Sequence, residues 1–377
     1  MSVDASSAWE ALLTEVPRAP FIPDTIWVDD SSGGGFVALS RHTDPDRWHA
    51  AVSANAPVVT QVDLGDVAPG QQGRFPSSSC SQPSIVADML DALDVRPGQS
   101  VLEIGTGTGW NAALLANRVG AHGRVVTIEV DPCLAAGARC ALTNAGYHPL
   151  VITADGLAGH PTGAPYDRVI CTAAIREVVP QTWLDQLRPG GRVAIPWGTD
   201  WSNGVMLTLH KSEDGAATGR FCGDLAFMRI RSQRRALYRW RPEDSDIERA
   251  QVSITECRGS DLDRMLNPDK GTFAIGARLA SCCLIVEWDK HGELHHNLEL
   301  DDAATRSWAQ LDANLTDPAP FTVRQLGPRR LWDEAETAYD WWYDHGEPGL
   351  DRFGFDSRDR RQWVWLDEPD NVVRVLS

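Results

Sequence analysis

The chain has 377 residues, of which 42% are hydrophobic, 23% charged and 8% aromatic, enough apolar material for a sizeable core and enough length for about two to three domains. Its 35 Lys and Arg stand against 52 Asp and Glu, a formal charge of −17, and a field of that sign repels phosphate backbones, which disfavours DNA or tRNA as a substrate. The opening MSVDASSAWEALLTEVP has neither a basic nor an apolar segment, no stretch approaches the roughly 18 apolar residues of a membrane span, and eight scattered cysteines without a C-x-x-C pair signal neither zinc nor disulfides; the expectation is a cytoplasmic protein with no metal and no nucleic-acid or membrane partner.

Residues 1–75 combine a short amphipathic helix, AWEALLTEV, with turn-rich sequence (SSGGG, DPDRW, APGQQGRFP) and read as a lead-in or cap. From Pro83 to Pro196 apolar runs (SVLEIG, RVVTIE, LVITA, YDRVICTA, GRVAIPW) alternate with helical stretches (PSIVADMLDALD, NAALLANRVG, PCLAAGARCALTNAG, VPQTWLDQL). Continuous Val/Ile/Leu runs separated by helices are what a parallel sheet covered on both faces requires, so residues 76–202 are expected to form a doubly wound, Rossmann-like α/β domain. Beyond 203 the alternation stops. VMLTLHK, LAFMRIRS, TFAIGARL and CCLIVEWD read as strands of an antiparallel arrangement, and residues 203–377 as a C-terminal α+β region. There the run LWDEAETAYDWWYDHG puts Leu331, Trp332, Ala335, Ala338, Tyr339 and Trp342 on one helix face, a core stripe in preference to a peptide groove. KHGELHH, His291 to His296, reads as a solvated turn.

The sharpest motif follows the first strand of the alternation: Glu103, Gly105, Thr106, Gly107 and Gly109 in LEIGTGTGW. Alternate glycines let the backbone turn tightly and approach a ligand at the start of a helix, where free amides and the positive dipole end lie. A dinucleotide fingerprint needs glycine three residues after Gly107, where Trp110 stands. Glu103, two residues before the first glycine, suits a ligand bearing an ammonium group. Glu129, closing the second strand, suits ribose hydroxyls, and Asp155 with Gly156, after the third, lies where an adenine amino group would sit. Helix capping is the plainer role for Asp155.

SQPSIVADML, VLEIGTGTGWNAALLA, GRVVTIEVDP, ADGLAGHPTGAPYDRVICTAA and LRPGGRVAIPWG, with VPRAPFIP near the N-terminus, resemble the protein L-isoaspartyl O-methyltransferase family over about residues 75–200. The resemblance implies an S-adenosylmethionine-dependent methyltransferase domain that esterifies a peptide carboxylate. Glu103, Gly105, Thr106, Gly107, Gly109, Glu129, Asp155 and Gly156 would bind the cofactor, Ser79 and Ser81 would hold the substrate carboxylate, and Gln82 would contact the substrate. An ionised carboxylate needs no general base, only alignment and exclusion of water, which agrees with the lack of an evident catalytic His or Cys. Three departures, namely the lead-in of about sixty residues between Phe21 and Ser81, Trp110 in place of tyrosine, and some 170 residues past Gly198 without a counterpart in the repair enzyme, look like the actinobacterial variants that accompany ribosomally made modified peptides such as graspetides and lanthipeptides. That branch implies methylation of an aspartate side chain in a modified precursor peptide, the ester cyclising to aspartimide; the alternative is a repair methyltransferase with an added region, and a third reading is a non-catalytic binder. Arg229, Arg231, Arg234, Arg235 and Arg239 form the densest basic cluster. Arg229 and Arg231 are expected on one strand face, and Arg231 and Arg234 to contact an acidic peptide.

Overall fold

The computed structural model describes residues 5–30, 34–68, 70–202, 204–234, 241–288, 294–313 and 320–377, with the backbone alone at 5–8, 10, 288 and 294–297. Arg235, Arg239 and His291 therefore lie outside the described residues, as do the side chains of His295 and His296. In chain order the first elements are α1 (Ala5–Glu15), β1 (Thr25–Asp29), β2 (Phe36–Ser40), α2 (Pro45–Ser53), β3 (Val58–Val62), β4 (Pro76–Cys80) and α3 (Pro83–Leu93). The alternating segment follows as β5 (Ser100–Ile104), α4 (Trp110–Val119), β6 (Arg124–Glu129), α5 (Pro132–Asn144), β7 (Leu150–Thr153), β8 (Tyr166–Cys171), β9 (Ile175–Arg176), α6 (Gln181–Gln186) and β10 (Leu187–Gly198). Then come β11 (Val205–Lys211), β12 (Ala217–Asp224), α7 (Asp244–Ile247), β13 (Gln251–Thr255), α8 (Gly259–Leu266), α9 (Thr272–Arg278), β14 (Cys283–Trp288) and β15 (Leu294–Asp302). The chain closes with β16 (Ser307–Asp312), β17 (Phe321–Leu326), α10 (Leu331–Asp344), β18 (Phe353–Arg358), β19 (Arg361–Leu366) and β20 (Val372–Val375). Among the described residues no helix is long and apolar enough to cross a membrane.

The chain divides into two compact units. The first runs to Ala174 and adds residues 179–196 and 206–219; the second holds 175–178, 197–205 and 220–377. In the first, parallel strands β7, β6, β5, β8 and β10 lie side by side in that order, as the alternation predicted. Each is a short run of β-branched and leucine side chains, and Val101, Leu102, Ile128, Val169 and Ile170 are almost wholly buried, each worth roughly 1.5 to 3 kcal/mol. The order reverses between β5 and β8, and the carboxyl ends of strands at such a reversal are where doubly wound sheets take ligands.

The described part of residues 1–75 lies in this same compact unit; the expected helix is α1, and the turn-rich sequence after it also contains strands. β2, β1, β3 and β4 form an antiparallel sheet in that order. Their five-residue strands are partly exposed on both faces, so no clean alternation marks them. The segment is tied in by two buried polar groups. Trp110 Nε1 donates to the Val16 carbonyl at 2.8 Å, and the Arg18 guanidinium donates to the carbonyls of Val52 at 2.6 Å, Ala56 at 2.8 Å and Ser81 at 3.3 Å.

The second unit contains an antiparallel sheet in the order β13-β17-β16-β15-β14 and the antiparallel strands β18, β19 and β20. Its aromatic core joins Trp197, Phe221, Phe273 and Phe353, with successive ring centroids 4.9, 4.8 and 5.2 Å apart. Leu331, Trp332, Ala335, Ala338, Tyr339 and Trp342 are the buried face of α10, the core stripe expected. Two strand expectations are corrected. TFAIGARL is the helix α9, whose residues Thr272–Ala277 are all buried; a short run apolar on every side carries no period by which to tell strand from helix. LAFMRIRS is not a strand either: its end is the short 3-10 turn Arg231–Gln233, preceded by Arg229, whose guanidinium reaches the Thr199 carbonyl. The alternating strand face proposed for Arg229 and Arg231 therefore does not exist. His295 and His296 likewise have strand backbone within β15 instead of a turn.

Candidate active site

The glycine loop between β5 and α4 is shaped by three left-handed residues, Gly105, Gly107 and Gly109, with φ of 95°, 53° and 90°, a conformation L side chains resist. A Cβ on Gly105 would sit 2.7 Å from Thr172 Oγ1, and that hydroxyl donates to the Gly105 carbonyl at 2.5 Å, so the loop is braced from β8. Thr106 is buried with its hydroxyl 2.7 Å from that of Thr127; it supports the loop from below.

Two acids meet this loop. Glu129, at the end of β6, accepts the Gly107 amide at 2.9 Å on Oε2 and the Asp131 amide at 3.0 Å on Oε1. Each oxygen keeps a further lone pair, enough for the two ribose hydroxyls expected of it. Glu103 is fully buried. Its Oε1 accepts the Asn111 side-chain amide at 2.6 Å, while its Oε2 and the Asn111 Oδ1 are buried without a hydrogen-bond partner among the described residues. Burial pushes the Glu103 carboxyl up to about 7; the side chains of Thr127 and Asn111 pull it back only in part, and the charge of Glu129 adds to the rise. Two buried acceptors without partners, on side chains that hydrogen-bond each other, suit a cationic donor, as buried polar groups are otherwise paired.

Asp155 follows β7, and the Ala154 amide donates to the Glu129 carbonyl at 3.0 Å, which sets Asp155 beside that acid. It caps the turn Gly156–Ala158 through the Leu157 amide, which donates to its Oδ1 at 3.0 Å, and it is exposed. Gly156 packs so closely on β5 that a Cβ would lie 2.5 Å from Ile104 Cγ2.

On the opposite side of the glycine loop runs β4. A Cβ on Gly107 would be 3.6 Å from the Ser79 carbonyl oxygen. Ser79, Ser81 and Gln82 are all partly exposed. The helix-cap role that competed for Ser81 is absent: the cap position of α3 is Gln82, with no side-chain cap bond, and the Gln82 amide donates instead to Ser84 Oγ at 2.8 Å. Arg231 and Arg234 belong to the second compact unit, apart from the residues just described. Arg234 Nε donates to the Arg229 carbonyl at 2.9 Å, and burial, then the neighbouring Arg231, lower its pKa.

Sequence reasoning missed Asn111, Thr127, Asp131 and Thr172. Asp131 carried a legible signal, an acid before proline at a helix start, and it caps α5 through the amides of Cys133 and Leu134. Asn111 stood in the first turn after the glycines, where a polar side chain deserved notice; the roles of Thr127 and Thr172 depend on strand neighbours and had no local sign.

The family profile described as protein-L-isoaspartate(D-aspartate) O-methyltransferase matches residues 69–235. Curated relatives include the protein-L-isoaspartate O-methyltransferase of Methanopyrus kandleri, 43% identical over 150 residues, 39% of this chain and 66% of that one. The protein of the same name from Methanocella arvoryzae is 47% identical over 153 residues, 40% of this chain and 79% of that one. The chain thus spans about two thirds of the length of the first of these relatives. A solved structure named protein-L-isoaspartate O-methyltransferase shares the fold, with a TM-score of 0.51 and 18% identity over 97% of this chain and 96% of that one. That coverage corrects the expectation that residues beyond Gly198 lack a counterpart in such an enzyme.

Proposed function

As the chain belongs to the protein-L-isoaspartate O-methyltransferase family, we propose that it transfers a methyl group from S-adenosylmethionine to the free carboxylate of an isoaspartyl residue in a peptide or protein. The observation that carries this reading is the convergence, in one compact unit, of the buried acceptors on Glu103 and Asn111, the ribose-type acceptor Glu129, the glycine loop and the serine-bearing edge of β4. The residues fit the cofactor: Glu103 and Asn111 suit its ammonium, Glu129 its ribose, and Asp155 with Gly156 its adenine.

When bound, the cofactor supplies an electrophilic methyl group on a sulfonium. The remaining tasks fall to this chain. Ser79 and Ser81 hold the acceptor carboxylate, which is ionised at neutral pH and attacks without a base. The buried walls of the site exclude water, and alignment of oxygen, carbon and sulfur supplies the rate.

The test compares an isoaspartyl peptide with its aspartyl twin, using labelled methyl donor and scoring base-labile ester. Methylation of the isoaspartyl peptide alone supports the reading. The narrower expectation, an aspartate side chain in a modified precursor peptide cyclising to aspartimide, gains from ester on a constrained aspartyl peptide that then loses methanol, leaving a product lighter than the starting peptide by one water. Cofactor binding with ester on neither peptide class refutes transfer.

A further inference from the structure

The hairpin that carries Ser79 reaches the cofactor side of the site through the side chain of Gln61. Gln61, in β3, accepts from Ser77 Oγ at 2.7 Å and donates to Asp131 Oδ2 at 3.1 Å. Ser77 Oγ in turn accepts the Leu64 amide at 3.0 Å. On the far side, Asp131 donates its amide to Glu129, whose other oxygen holds the Gly107 amide. A continuous chain of hydrogen bonds therefore runs from the turn after β3 to the ribose acceptor and the glycine loop, and Ser77, Asp131 and Glu129 along it are all buried.

The turn at the other end is strained. Asp63, Leu64 and Gly65 are successive left-handed residues with φ of 47°, 59° and 85°, and Leu64 has neither the missing Cβ nor the short polar side chain that eases this region. Such a conformation persists only where its surroundings over-determine it. Here they do: Asp63 accepts the amides of Arg74 at 2.7 Å and Phe75 at 3.0 Å. The β3–β4 register also shifts on both sides of Gln61, between its pairing with Ser78 and those of Val59 with Ser79 and Val62 with Pro76. Irregularities of this kind re-aim side chains beside functional sites. A strained turn tied into such a network is the kind of element that can take a second arrangement, which is what coupling between sites needs.

We propose that Gln61 is a positioning residue: it links the acceptor-holding strand β4 to Glu129, so that filling the cofactor site favours the form of the hairpin that holds the acceptor carboxylate. The proposal rests on the reading of Glu129 and Ser79 given above. Coupling of this type is reciprocal, each ligand raising the affinity of the other by one factor.

The experiment measures that factor in the full chain. Binding of an isoaspartyl peptide is titrated with and without saturating S-adenosylhomocysteine, in wild type, Gln61→Met and Ser77→Ala. Wild type should bind the peptide about fivefold or more tightly when the nucleoside is present. In Gln61→Met and in Ser77→Ala the factor should fall toward one, while affinity for S-adenosylhomocysteine alone changes less than about threefold because Glu129 keeps both amides. A merely structural role would lower thermal stability and weaken both ligands without touching their ratio. Wild type binding both ligands with no coupling, or either folded variant keeping it, overturns the role of Gln61 and leaves the methyltransferase reading standing. Wild type that binds no S-adenosylhomocysteine overturns both.

Discussion

Changing the pH between 6 and 8.5 should move cofactor affinity through one residue, Glu103. In the ligand-free protein burial holds its carboxyl at about 7, so at pH 6 most molecules carry it protonated. An ammonium placed against Oε2 favours the carboxylate, and binding must then expel the proton. The apparent Kd for S-adenosylhomocysteine should be flat above about pH 8 and rise about tenfold between pH 8 and 6. Calorimetry in buffers of differing ionisation enthalpy should show about half a proton released at pH 7 and roughly a tenth at pH 8. Stability of the ligand-free protein moves in the opposite sense. A carboxyl raised from 4.5 to about 7 by folding lends its contribution below the unfolded value and loses it as pH rises through the folded one. The ligand-free chain should give up on the order of 3 kcal/mol between pH 4.5 and 8 on this account. Glu103→Gln should therefore unfold at a higher temperature than wild type at pH 8 when ligand-free, yet bind S-adenosylhomocysteine weakly and without pH dependence. A wild-type Kd that stays level from pH 6 to 8, or a Glu103→Gln variant with the wild-type profile, would refute the placement of the ammonium against Glu103.

Glu129→Ala removes the carboxylate assigned to the two ribose hydroxyls and bonded to the Gly107 and Asp131 amides; with charge-assisted bonds worth roughly 1.5 to 3 kcal/mol each, calorimetry should show S-adenosylhomocysteine affinity down more than about tenfold, and an unchanged Kd would reject the ribose assignment. Ser81→Ala should lower turnover on the isoaspartyl peptide and spare both cofactor affinity and the melting temperature, since no cap bond is lost; a drop in stability with an unaltered rate per folded molecule would make Ser81 structural. Gly156→Ala forces a methyl group into Ile104 and should lower denaturant-measured stability by about 1 to 3 kcal/mol, whereas an unmoved midpoint would mean that β5 and the turn after β7 part easily.

The parallel sheet, the glycine loop and the acids at the strand ends could all be read from the chain, because each is written within a few residues: an apolar run of strand length, glycines at alternate positions, an acid where the run stops. The buried stripe of α10 was legible for the same reason, its period being local. The antiparallel sheet of residues 25–80 was not, since strands exposed in part on both faces leave no alternation. Nor could TFAIGARL be told from a strand, as a segment buried all round has no polar face to set its period. Local pattern likewise says nothing of what a side chain meets across the fold. Gln61 and Asp131 are seventy positions apart, and whether Ser81 or Gln82 takes the cap position of α3 depends on where β4 ends. Those partnerships are decided by packing, because a hydrogen bond or a shifted carboxyl reports the neighbours that folding supplies and not the residues on either side in the chain.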